Sequence, residues 1–156
     1  MQTIKQISAG GIIFKNVTRC APSESEGKLQ AARLWLICQH SQHKGWVFPK
    51  GLVGDTKKNE AMEEAALREV EEEGGIKAKI INPQPLKTGY KYAWENKLID
   101  KTVYYYLMEY VSGDPKNHDW EMSDAKFVTE EEVKKTLSYP SEKKAFAEIL
   151  NFFSSL

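Results

Sequence analysis

The chain has 156 residues, 41% hydrophobic and 28% charged, with 22 basic and 22 acidic side chains and a formal net charge of zero. That length fits one domain, residues 1–156, with a real core, and the charge balance leaves no broad basic footprint for nucleic acid or a membrane surface. No apolar run is long enough to span a bilayer, the opening Met-Gln-Thr-Ile-Lys does not read as a signal peptide, and Cys20 and Cys38 make no disulfide framework, so a reducing cytoplasm is the expected setting.

In chain order, residues 3–14 read as a strand interrupted by Gly10-Gly11, which permits a bend or a close backbone approach. Residues 15–30 are polar and read as a long hairpin-type loop carrying Cys20. Residues 32–39 form a buried central strand that includes Cys38 as a core residue. Trp46-Val-Phe48 gives a short strand ended by Pro49 and Gly51, after a loop with His40 and His43, whose ordinary role is a surface one.

Asn59 is the expected N-cap of a helix over residues 60–73, and Gly74-Gly75 stops it. Strands follow over residues 76–81, 86–93 and 101–111, the last two separated by a turn at 94–98. A polar segment holding Trp120-Glu121 leads to a short strand at 125–128. Thr129 and Glu132 then make a capping box for a helix to about residue 137. Ser141 caps a last helix whose Phe146, Ile149, Leu150 and Phe153 form a core-facing stripe. The order of elements predicts an α/β fold with a mixed sheet covered by helices.

The central helix breaks the ordinary pattern. At about 100° per residue, Met62, Ala65 and Ala66 make one apolar stripe, and the next residues on it are Glu69 and Glu73, with Glu72 beside them. Glu60, Glu64 and Glu71 fall on the opposite side and read as a solvated face. Carboxylates at i, i+3 and i+4 lie roughly 5–6 Å apart and repel. Burying them unpaired costs several kcal/mol, roughly. A divalent cation removes both costs, and oxygen-only ligands select a hard ion, Mg²⁺ before Mn²⁺.

From Gly54 to Ile76 the residues also run Gly-x5-Glu-x7-Arg-Glu-Val-x-Glu-Glu-x-Gly-Ile, which resembles the Nudix box at every specified position. The resemblance implies an α/β/α sandwich with the box helix on one side of the sheet and C-terminal helices on the other. It implies that Glu69, Glu72 and Glu73 bind Mg²⁺, with Arg68 orienting a glutamate and Glu121 supplying a further carboxylate from the loop before the late strand. In close relatives the glycine of Phe-Pro-Lys-Gly opens the box. Here that glycine is Gly51, and the loop over residues 52–59 is about three residues longer, leaving open whether the backbone at Lys50, Gly51 or Gly54 approaches the metal.

Phosphoanhydride hydrolysis suits such a cluster, because it needs charge neutralisation on phosphate, a positioned water and an acceptor for its proton. The flanks Ser8–Phe14, Trp46–Gly51 and Lys101–Tyr110 resemble bacterial-type diadenosine tetraphosphate hydrolases, implying asymmetric cleavage to ATP and AMP. Lys50 and Lys101 are then expected on phosphate, and Tyr90 and Tyr104, among Tyr92, Tyr105 and Tyr106, on the base. The alternatives are a diphosphoinositol polyphosphate phosphohydrolase, a nucleoside triphosphate pyrophosphohydrolase, and a catalytically silent nucleotide-sensing domain. In each case the partner is a small anionic molecule, with no nucleic acid and no membrane.

Overall fold

The strands form where the apolar runs predict them, and most are longer than local pattern suggests. A computed structural model describes residues 1–20, 29–54 and 58–154. The elements are β1 (Gln2–Cys20), β2 (Leu29–His40), β3 (Trp46–Val47), β4 (Lys50–Leu52), α1 (Met62–Gly74), β5 (Ile76–Ile80), β6 (Leu86–Trp94), β7 (Lys97–Gly113), β8 (Met122–Val128), α2 (Glu130–Thr136) and α3 (Pro140–Ser154). One mixed sheet runs β3-β2-β1-β7-β5, with β4 paired to β1, β6 to β7 and β8 to β2. β1 and β7 are parallel from Gln2 opposite Lys97 to Phe14 opposite Glu109, and the other pairs are antiparallel.

Alternation along the central strands sends side chains to opposite faces and makes two cores. On one face Ala65, Ala66 and Val70 of α1 pack with Ile13, Leu36, Tyr106 and Met108. On the other, Val133 of α2 and Phe146 and Ile149 of α3 pack with Trp35, Ile37, Tyr105 and Leu107. Trp35 and Phe146 meet edge to face, with ring centroids 5.1 Å apart. Full burial of each large apolar side chain contributes roughly 1.5–3 kcal/mol, so the two cores hold helices on both sides of the sheet. The α/β/α sandwich is the observed architecture.

Several local expectations are corrected. The hairpin strands extend into the segment read as a loop, β1 to Cys20 and β2 from Leu29, while residues 21–28 of that loop lie outside the described residues. Asn59 is not the N-cap. It has φ 63°, and Ala61 opens α1 without a side-chain cap, two residues later than predicted. Lys50–Leu52 does not end a strand but forms one, pairing with Ser8–Gly10 of β1, and the close approach expected at Gly10 is to this segment. The 94–98 turn tightens to Glu95 and Asn96, both at positive φ. β8 starts at Met122, three residues early, because Gln39 and His40 of β2 extend the pairing. The last helix begins at Pro140, so Ser141 lies inside it. The expected helix stop is present, with Gly75 left-handed at φ 73° and its N–H on the Glu71 carbonyl, and the Thr129–Glu132 capping box forms.

Candidate active site

α1 lies on the sheet with its apolar stripe inward, and that contact carries Glu69 and Glu73 inward with it. Both are buried, 6% and 5% exposed, whereas Glu72 beside them keeps 44% of its side chain in solvent. The wet side holds Glu64 and Glu71 as expected but not Glu60, whose side chain is only 4% exposed. Arg68 explains the difference. Its Nε and Nη2 donate to the two Glu60 oxygens at 2.8 and 3.0 Å, and its Nη1 donates to Glu69 Oε1 at 2.8 Å and to Glu72 Oε2 at 3.3 Å. One guanidinium thus orients three carboxylates, with the bidentate fork spent on Glu60.

The other wall is the turn into β4. The Lys50 N–H donates to Glu73 Oε1 at 3.1 Å. At Gly51 a Cβ would run into the Glu69 carboxylate, so only glycine lets this backbone lie against the acid. Of the three backbone positions left open by the sequence, Lys50 and Gly51 touch the carboxylates, whereas Gly54 N–H points to Glu60. The third wall is the 118–121 loop. Asp119 N–H donates to the Glu72 carbonyl at 2.8 Å, and Glu121 N–H to Asp119 Oδ1 at 3.1 Å. This pins Glu121 close enough for its charge to act on both Glu69 and Glu73.

Electrostatics follow from that crowding. Burial pushes Glu69 up to about 7 against the pull of Arg68, with Glu72 and Glu121 adding to the rise. Burial pushes Glu73 up to about 9 against the Lys50 N–H, with Glu69 and Glu121 adding. The donor set is all oxygen, with several carboxylates crowded together, which suits the chemistry of a hard divalent cation. Among the described residues no three acidic, histidine or cysteine side chains already converge as a finished ligand set. Arg68 and the Lys50 N–H hold one oxygen each of Glu69 and Glu73.

On the opposite face of the sheet, beside β4, lies a cleft of about 1090 Å³ between β6, β7 and the start of α3. Lys50, Lys87, Lys101 and Lys144 line it, with Tyr90, Tyr92, His43 and Tyr139. Tyr90 and Tyr92 stack at 6.0 Å and are 37% and 41% exposed. Lys101 makes no ion pair among the described residues. Burial and the neighbouring Lys50 lower its pKa, against the attraction of Glu73 and Glu69. Lys50 differs, since its ammonium donates to Glu142 Oε1 at 3.1 Å.

The predicted residues therefore fall into three places. Arg68, Glu69, Glu72, Glu73 and Glu121 come together, and Lys50, Lys101 and Tyr90 line the adjoining cleft. Tyr104 is elsewhere, beside Met62, Ile7 and Leu52 on the α1 side of the sheet, because alternation along β7 points it away from Tyr105. Sequence reasoning missed Glu60 and Glu142 and treated His43 as an ordinary loop histidine. His43 Nδ1 accepts from Gly45 N–H at 3.0 Å and meets Tyr139 Oη at 2.9 Å at the cleft mouth.

A NUDIX domain model matches residues 17–149. The chain belongs to the Nudix family. A Mycobacterium tuberculosis protein that carries the name MutT4 is 27% identical over 144 residues, which are 92% of this chain and 54% of that protein. The chain thus spans about half the length of that relative. Among solved structures, a binary complex of the Caenorhabditis elegans Ap4A hydrolase has TM-score 0.67 at 22% identity, covering 97% of this chain and 99% of that one. The NUDIX domain of Shewanella oneidensis NrtR with ADP ribose has TM-score 0.65 at 14% identity, covering 96% and 89%. At these identities the Nudix structures establish the fold. Among the described residues no helix is long and apolar enough to cross a membrane.

Proposed function

We propose that this Nudix hydrolase cleaves a nucleotide phosphoanhydride, with asymmetric hydrolysis of diadenosine tetraphosphate to ATP and AMP as its reaction. The observation that carries this is a pair of buried carboxylates, Glu69 and Glu73, linked through Lys50 to a cleft that presents two stacked tyrosines and Lys101, which makes no ion pair among the described residues. Similarity to the C. elegans Ap4A hydrolase supports the choice of substrate.

Glu69, Glu72 and Glu73, with Glu121, would hold Mg²⁺ (or Mn²⁺), which supplies charge neutralisation on phosphate and a more acidic water. Lys101 binds a phosphate oxygen, since its ammonium makes no ion pair among the described residues. Lys50, already paired to Glu142, sets the edge of the phosphate path. Tyr90 and Tyr92 offer their faces to an adenine. Arg68 fixes the rotamer of Glu69 and restrains Glu72. Water attacks phosphorus as the anhydride P–O bond breaks and AMP and ATP separate. The released proton passes to a carboxylate of the cluster that is not fully engaged by the cation.

A second reading, a nucleoside triphosphate pyrophosphohydrolase, is favoured by the relative that carries the MutT4 name. Purified protein incubated with Mg²⁺ and a panel of dinucleoside polyphosphates, nucleoside triphosphates and diphosphoinositol polyphosphates separates the readings by chromatography of products. ATP plus AMP from the tetraphosphate is expected. An intact tetraphosphate beside a hydrolysed triphosphate overturns the substrate assignment, and no turnover of any member overturns the hydrolase reading.

A further inference from the structure

Among the described residues the most deeply buried acid is not in the box. Glu142, in the first turn of α3, is 2% exposed. Its Oε1 accepts from Lys50 Nζ at 3.1 Å and from Tyr105 Oη at 2.8 Å. Its Oε2 has no hydrogen-bond partner among the described residues. Lys50 is therefore held from two sides by acids on two different helices. The side chain reaches across to Glu142 on α3, while the backbone N–H of the same residue donates to Glu73 on α1. The next residue, Gly51, lies against the Glu69 carboxylate.

We infer that Glu142 is a positioning residue for Glu73, acting through Lys50. The inference rests on the phosphoanhydride reading above for what Glu73 does. The physical argument starts from cost. A buried ion pair gives little net stability over an apolar pair of the same shape, yet removing one partner strands the other charge. Without the Glu142 charge, the Lys50 ammonium turns toward the wet cleft. Its backbone moves with it, because β4 is three residues long and pairs in the sheet with Ser8–Gly10 of β1, its ends tied by Gly11 N–H on the Pro49 carbonyl and Val53 N–H on the Ile7 carbonyl. The N–H that fixes Glu73 Oε1 shifts by the same amount. A displacement near 1 Å at a catalytic carboxylate costs on the order of 100-fold in rate.

Glu142 also explains why the cleft contains a lysine that is not free for phosphate. Lys50 serves the carboxylate site, and Lys101 is left to serve the ligand. A purely structural Glu142 would leave kcat and metal affinity unchanged in any variant that folds.

The experiment compares wild type with E142Q and E142L, and with I149A, a core truncation on the same helix that loosens α3 without touching Lys50. E142Q keeps the shape and the Oε1 acceptor, so it folds even where E142L does not. Two quantities are read: steady-state kcat and KM on the diphosphate that wild type hydrolyses best, and Mn²⁺ affinity by electron paramagnetic resonance in the absence of nucleotide. Wild-type turnover tests the phosphoanhydride reading by itself, and Mn²⁺ affinity tests Glu142 without turnover.

For E142Q the expected result is about a tenfold fall in kcat with KM within about twofold, and Mn²⁺ binding weakened about three- to tenfold. I149A is expected to lower the melting temperature with kcat and Mn²⁺ affinity within twofold of wild type. E142Q with wild-type kcat and Mn²⁺ affinity overturns the inference. So does a rise in KM alone, which would place Glu142 at the ligand, and so does an I149A variant that reproduces the E142Q pattern.

Discussion

Two buried acid sites flank Lys50, and they are held in opposite ways. At Glu142 one carboxylate meets one ammonium and one phenol, and the charge is balanced inside the protein. At α1, Arg68 holds Glu60, Glu69 and Glu72, the Lys50 N–H holds Glu73, and the charges of Glu69, Glu73 and Glu121 act on one another. In the first arrangement the charge is paired, although Glu142 Oε2 has no hydrogen-bond partner among the described residues. In the second, burial and the neighbouring carboxylates raise Glu69 to about 7 and Glu73 to about 9. Burial alone therefore does not mark a functional acid. What separates the two is a cluster of carboxylates whose pKa values burial and mutual repulsion raise, the kind of chemistry that suits a hard cation.

The strongest way to break this comparison is at the α1 cluster. Glu73→Gln should lower kcat by about a thousandfold or more while the fold survives, because it removes a reacting group and a buried charge together. A variant within tenfold of wild type would remove Glu73 from the chemistry. Next in size, Arg68→Lys loses the fork that orients Glu60 and Glu69 and should cost about 10- to 100-fold in metal affinity or kcat, read by Mn²⁺ titration and steady-state kinetics. Lys101→Met should raise KM about tenfold with kcat within about threefold, since its role is binding. A fall in kcat at unchanged KM would move Lys101 from binding to the reaction.

The smallest effect is the pH dependence of the metal-free protein. Glu69 and Glu73 have folded pKa values above the unfolded value of about 4.5, so between that value and about 7 and 9 the folded state keeps protons that the unfolded state has lost. Stability is then greatest at acidic pH and falls as pH rises through this window. Scanning calorimetry of metal-free protein from pH 5 to 9 should show the melting temperature falling by several degrees, roughly. Glu73→Gln should flatten most of the slope above pH 7, and an unchanged slope would contradict the assignment.

The acidic end of α1 was legible because a helix has one period. Once Met62, Ala65 and Ala66 face the sheet, Glu69 and Glu73 must follow. Gly75 was legible for the same reason, since its backbone role is local. Glu142 was invisible, because its partner lies 92 positions away and nothing in Pro140-Ser-Glu142 distinguishes it from a solvated first-turn acid. Glu60 was misplaced on the wet face because α1 starts after it, freeing its side chain to fold back onto Arg68. Tyr104 and Tyr90 look equivalent in a tyrosine-rich stretch, and only strand register separates the cleft from the far side of the sheet. Local chemistry was readable, and pairings across the sheet were not.

The central claim is that Glu69 and Glu73 await a divalent cation, and thermal unfolding measures this directly. A ligand bound only by the folded state stabilises it by RT ln(1 + [L]/Kd), about 2.7 kcal/mol at one hundred times Kd. At pH 8, Mg²⁺ or Mn²⁺ added to wild type should raise the melting temperature by several degrees, roughly, and should abolish the decline of stability with pH. The same ions should leave Glu73→Gln within a degree of its metal-free value, roughly. A wild-type melting temperature that does not move with either ion, or that moves equally in the variant, would contradict the claim.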